Sequence, residues 1–287
     1  MSRVSEPDDT PEGPAFEGRL LPRPEEEVVD QGAGFDISTL LTRRRVLGLV
    51  GVGVGAAALA ACGASSSGSA SSTSTTADGE IPEETNGPYP ADGTNGTNVL
   101  TESGIVRSDI TSSLDGGTTA EGVPLEFTFT LTDMAEDDSP FAGVAVYLWQ
   151  CDAQGLYSMY SEGVEDETYL RGVQVADAEG QVRFRTIVPG CYPGRWPHLH
   201  FEVYPDVGSA TTGENAIATS QVAFPEKLAD KVYELDTYEG SADNLAEVSL
   251  DTDMVFSDGY ELEMGIFTGS PSAGYKGSLA VAVDTTT

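Results

Sequence analysis

The sequence predicts an all-β fold: an antiparallel β-sandwich with one short helix, preceded by a disordered N-terminal segment and an export signal. Three observations carry that expectation. Residues 125–132 alternate strictly, with Leu125, Phe127, Phe129 and Leu131 on one face and Glu126, Thr128, Thr130 and Thr132 on the other, the period-two pattern of a half-buried strand. Turn signals such as Asp152-Ala-Gln-Gly155 and Asp177-Ala-Glu-Gly180 punctuate several short apolar runs. Helical spacing is confined to residues 226–236, where Leu228, Val232 and Leu235 recur.

In chain order, residues 1–42 are acidic, rich in Pro and Gly and without periodicity, a composition that reads as disorder. Residues 43–62 read as an export segment. Arg43 and Arg44 precede an apolar run that ends in Leu59-Ala60-Ala61-Cys62, similar to a lipobox, and twin arginines are the address of a folded-protein export route. A membrane anchor is the alternative, although the run is short and rich in Gly and Ala. Either reading puts the rest of the chain outside the cytoplasm, with any membrane attachment made through Cys62. Residues 63–80 are a Ser/Thr-rich linker, and 81–287 form one domain large enough for a sizeable core.

Within that domain, strands are expected at 125–132, 144–150, 181–187 and 217–224, along the segment containing His198 and His200, and at 261–267 and 276–283 as closing strands. Tyr89 lies in an extended Gly87-Pro-Tyr-Pro90 arm and reads as a pin for that arm.

The formal net charge of −33 and the presence of only three lysines exclude nucleic acid as a partner, because phosphates call for clustered Lys and Arg. With Cys62 set aside for lipid, Cys151 and Cys191 remain. An oxidising compartment favours a disulfide between them, whereas folding in the cytoplasm favours free thiols.

The two histidines of the chain, His198 and His200, stand at alternate positions, so both imidazoles project from one face of a strand about 6.8 Å apart along the backbone. Tyr192 lies six residues upstream in a Pro-Gly-Cys-Tyr-Pro turn. Imidazole suits iron, copper or zinc, and phenolate is a hard anionic donor that favours a high oxidation state. On these residues alone a ligand pair and an ordinary pair of buried histidines both remain open, as does a zinc or copper site.

The run Thr186-Ile-Val-Pro-Gly-Cys-Tyr-Pro-Gly-Arg-Trp-Pro-His-Leu-His-Phe201 resembles the signature of the intradiol ring-cleavage dioxygenases. The upstream Tyr147-Leu-Trp-Gln-Cys-Asp-Ala-Gln-Gly-Leu-Tyr157, Asp177-Ala-Glu-Gly180 and Phe184-Arg-Thr-Ile187 follow the same order. The resemblance spans roughly residues 120–225. It implies a ferric ion, Fe(3+), held by Tyr157, Tyr192, His198 and His200, with Tyr192 as the displaceable base, Arg195 as an active-site cation and Gln221 beside it. It also implies that Tyr89 borders a pocket. The implied reaction is cleavage of a catechol-type ring by dioxygen to a cis,cis-muconate-type product. The gap from Tyr192 to His198 is shorter than in well-known members and the 208–213 loop looks inserted, so the choice of catechol does not transfer. The rival reading is a non-catalytic cell-surface β-sandwich.

Overall fold

The computed structural model describes residues 77 and 79–286, together with the backbone of residues 8–10, 13–16 and 19–20. In that N-terminal part three short strands, β1 (Asp8–Thr10), β2 (Gly13–Phe16) and β3 (Arg19–Leu20), pair antiparallel. The export segment 43–62, and nearly all of the linker 63–80, lie outside the described residues.

The domain is a two-sheet sandwich. One sheet has the order β10-β9-β6-β7, formed by β6 (Ala145–Trp149), β7 (Arg171–Val175), β9 (His198–Tyr204) and β10 (Ala218–Ala223), all paired antiparallel. The other has the order β11-β12-β4-β5, with β8 also on β4. It comprises β4 (Pro124–Asp133), β5 (Ser139–Pro140), β8 (Gln181–Ile187), β11 (Ile266–Ser270) and β12 (Gly274–Val283).

Between the sheets, alternation does what the sequence promised. Leu125, Phe127, Phe129 and Leu131 of β4 are fully buried against Val146, Leu148, Leu199, Phe201 and Val203, and the Phe129 and Phe201 rings meet across the layers at 4.9 Å. Apolar area removed from water in this way is the main stabilising term of such a sandwich. The opposite face of the first sheet is buried too, under loops: Tyr147, Trp149 and Tyr204 pack there with Ala91, Val99, Leu100, Ile105, Tyr157 and Tyr160.

Four expectations need correction. The sandwich is not wholly antiparallel, because β12 runs parallel to β4 from Tyr275↔Leu125 to Val283↔Asp133. The segment 261–267 is mostly turn, and the strand there is β11, since Gly265 and Phe267 lead into a hairpin with β12 rather than out of one. The helix from residue 226, α1 (Glu226–Val232), stops at Val232: Leu228, Ala229 and Val232 are buried, whereas Leu235 is exposed and starts the next 3-10 turn. A second short helix, α2 (Ser241–Ala246), and the strand β7 were not read from the sequence.

Candidate metal centre

Strand β9 places the imidazoles. Its neighbours β10 and β6 pair Gln221 and Trp149 opposite His200, so these three side chains share one face, while Leu199, Phe201 and Val203 fill the core on the other. Trp149 lies flat on His200, with ring centres 4.9 Å apart and planes at 7°, and Tyr147 stacks on Trp149 in turn. Gly87 closes the other side. It has φ +69°, and a Cβ there would stand 3.2 Å from His200 Cε1, so its glycine identity serves both the turn and the close approach.

Four donor atoms converge. His198 Nε2 is 3.0 Å from His200 Nε2, 3.3 Å from the Tyr192 hydroxyl and 3.5 Å from the Tyr157 hydroxyl. His198 Nδ1 contacts the Trp196 carbonyl at 2.5 Å, which assigns the proton to Nδ1 and leaves a lone pair on Nε2. His200 Nδ1 is buried and makes no hydrogen bond. Two ring nitrogens facing each other at 3.0 Å share either a proton or a cation held between them. Donors about 2.0–2.1 Å from a common ion and at right angles stand about 3.0 Å apart, so the observed separations suit one ion. The donor set of two imidazoles and two phenols fits a hard, high-valent metal such as ferric iron. Among the described residues no three His, Cys, Asp or Glu side chains cluster as a metal site; phenols complete this one.

Electrostatics agree with the geometry. Burial lowers the pKa of both imidazoles, His198 to about 3, with the Arg195 charge acting in the same direction, so both are neutral and able to ligate. Burial raises the Tyr157 phenol well above its usual value, and Tyr192 adds to this, while Arg195 opposes it. A bound cation is the largest charge such a site can hold and reverses that preference. The two phenols are held differently. Tyr157 is fully buried, packed on Tyr89 at 4.8 Å, whereas Tyr192 sits on the 192–195 turn and is partly exposed.

Arg195 and Gln221, both expected at the site, are beside it. Arg195 is buried; its Nη2 donates to Gln221 Oε1 at 2.7 Å and its Nε to Asp253 Oδ2 at 3.0 Å. Gln221 Nε2 donates to the Thr85 carbonyl. Tyr89 both borders the ligands and anchors the arm, packing on Tyr157 and Tyr160.

The disulfide between Cys151 and Cys191 is not formed. Both are buried free thiols, each turned to a backbone carbonyl: Cys151 Sγ toward Gly190 O at 3.6 Å and Cys191 Sγ toward Arg195 O at 3.4 Å.

Sequence reasoning missed two supporting residues. Arg171, fully buried, donates to Ser158, Pro90 O and Tyr147, tying β7 to the arm. Asp253 receives Arg195. Neither announces its role locally, because Arg171 finds partners 13 to 81 residues away and Asp253 finds Arg195 58 residues away.

Residues 99–206 match a sequence family described as Dioxygenase. The 6-chlorohydroxyquinol 1,2-dioxygenase of Cupriavidus pinatubonensis is 38% identical over 85 residues, covering 23% of this chain and 30% of that protein. Catechol 1,2-dioxygenase 1 of Acinetobacter lwoffii is 30% identical over 122 residues, covering 36% and 37%. The chain thus spans about a third of the length of the curated relatives it matches. Among solved structures, an intradiol ring-cleavage dioxygenase from Tetranychus urticae superposes with a TM-score of 0.57 at 25% identity, covering 73% of this chain and 96% of that one.

Proposed function

We propose that this chain, which belongs to the intradiol ring-cleavage dioxygenase family through residues 99–206 and through its fold, cleaves a catechol-type ring with dioxygen to a cis,cis-muconate-type product. The observation that carries the reading is the convergence of the Tyr157, Tyr192, His198 and His200 donors within 3.0–3.5 Å of His198 Nε2 or on it. Those four residues would hold Fe(3+), which when bound would supply Lewis-acid polarisation of the diphenol, the diphenol itself giving the electrons that dioxygen takes up.

The side chains divide the remaining work. Tyr157 and the two imidazoles, all buried, are the fixed donors. Tyr192, on a turn and partly exposed, is the donor able to swing away and take a proton from the incoming diphenol. Arg195 is a buried cation whose charge is felt at Tyr157, His198 and His200, so it favours negative charge building on the substrate oxygens in a water-poor site. Gln221 and Asp253 keep its guanidinium in place. Trp149 and Gly87 sandwich His200 and exclude water from it.

The reading includes export: Arg43-Arg44 and the Cys62 lipobox-like run support a domain tethered outside the cytoplasm, and among the described residues no helix is long and apolar enough to cross a membrane. Oxygen uptake by iron-loaded protein across a panel of catechol, hydroxyquinol and protocatechuate tests the reaction. Uptake with release of a ring-opened diacid is the expected result. A coloured, iron-loaded protein that consumes no oxygen with any of them overturns the enzymatic reading, and a colourless one overturns the phenolate–iron site.

A further inference from the structure

Asp253 lies beyond the family-matched segment 99–206, on a loop between α2 and β11, yet it is fully buried against the donor cluster. Its carboxylate accepts four N–H bonds. Oδ2 takes Arg195 Nε at 3.0 Å and Trp196 N at 2.7 Å; Oδ1 takes Val255 N at 2.8 Å and Phe256 N at 3.1 Å. Three of the four linked residues lead to the site. Arg195 is the cation beside the ligands. The Trp196 carbonyl fixes the His198 tautomer. The Phe256 ring stands edge-on to His198, 6.5 Å between centres.

Unlike the exposed pairs Arg185–Asp109 and Lys276–Glu126, the Arg195–Asp253 pair is enclosed, with side-chain exposures of 2% and 0%. A buried pair of this kind is costly in desolvation and is weak as a pure stabiliser. What it does supply is orientation: a planar guanidinium gripped at Nε by a carboxylate and at Nη2 by Gln221 has its plane set from two sides.

We propose that Asp253 is a positioning residue for ring cleavage, acting through Arg195: it holds the guanidinium in one plane beside the donor cluster and joins the 249–258 loop to the site. The inference rests on the dioxygenase reading, and the experiment separates the two. Iron-loaded wild-type protein is first assayed with catechol, hydroxyquinol and protocatechuate; inactivity with all three removes the parent reading, and the most active of them replaces catechol in the kinetics that follow. Asp253→Asn, Asp253→Glu, Arg195→Lys and the Asp253→Asn/Arg195→Lys double variant are then compared for thermal midpoint, visible phenolate–iron band, 4-nitrocatechol binding followed in that band, and kcat and KM for catechol.

Asp253→Asn is expected to keep the band and to bind 4-nitrocatechol within about threefold of wild type while kcat falls about 10- to 100-fold. Asp253→Glu, which keeps the charge, recovers part of the loss. The double variant is no worse than Arg195→Lys alone, because both changes remove one shared interaction. Wild-type kcat in Asp253→Asn overturns the proposal. So does a loss of kcat matched by equal losses of band and thermal midpoint, which marks a merely structural role, and so do losses that multiply in the double variant.

Discussion

The two faces of β9 are both buried, yet they are buried by different means. One face carries Leu199, Phe201 and Val203 against a second sheet; the other carries His198, His200 and Glu202 under loops and the residue 81–92 arm. On the first face every contact is apolar and interchangeable within limits of volume. On the second, groups that water would normally solvate are enclosed, so each must find a partner: Trp196 O for His198, Asp253 for Arg195, Tyr204 and Asp92 for Glu202. A strand whose neighbours are regular on one side and irregular on the other can thus separate stability from chemistry within seven residues.

His200→Ala breaks the comparison most severely. It removes one donor and opens a hole against Trp149, so the phenolate–iron band and catechol-dependent oxygen uptake fall to background while the circular dichroism of the sandwich persists. A variant that retains the band, measured with iron content by mass spectrometry, refutes the assignment. Next comes Phe201→Ala on the opposite face, which is expected to cost about 3–5 kcal/mol of folding stability in urea titration, with the band of the remaining folded protein unchanged. A shifted band would mean that the faces are not independent.

A pH-dependent effect concerns Glu263, the carboxyl that reaches the apolar side of β10 at Ser220. Burial, with the neighbouring Glu84 charge, raises its pKa from 4.5 to about 9. The folded protein therefore keeps a proton that the unfolded chain releases, and this contribution to stability declines as pH rises from about 4.5 to about 9. Glu263→Gln should flatten that decline in thermal midpoints recorded across the same window. An unchanged slope would show that Glu263 is not protonated in the fold.

The same contrast explains what the sequence made legible. Strand β8 was bounded correctly by its alternation, and β4, β6 and β10 to within a residue at each end, because a period of two is a local signal that burial on one side imposes. That Tyr157, Tyr192, His198 and His200 come together was readable through their motif order, since a short turn and one strand, β9, carry the last three. Asp253 was not readable. An aspartate in a Thr-Asp-Met run looks like any loop residue, and only closure of the fold across 58 residues gives it a cation. Arg171 was hidden for the same reason. The free state of Cys151 and Cys191 depended on side-chain direction, which spacing does not supply. The parallel partner of β4 was equally silent, since an apolar alternation does not encode the direction of its neighbour.

That parallel pairing has a bearing on biogenesis. Leu125 pairs with Tyr275, 150 residues further along the chain, so the central strand of the second sheet lacks a flanking partner until nearly all of the domain has left the ribosome. Bringing such distant segments together makes assembly slow and leaves an apolar strand edge waiting in the meantime. Nascent chains shortened ahead of β12 should accordingly be caught by chaperones, whereas chains released with it can close the sandwich.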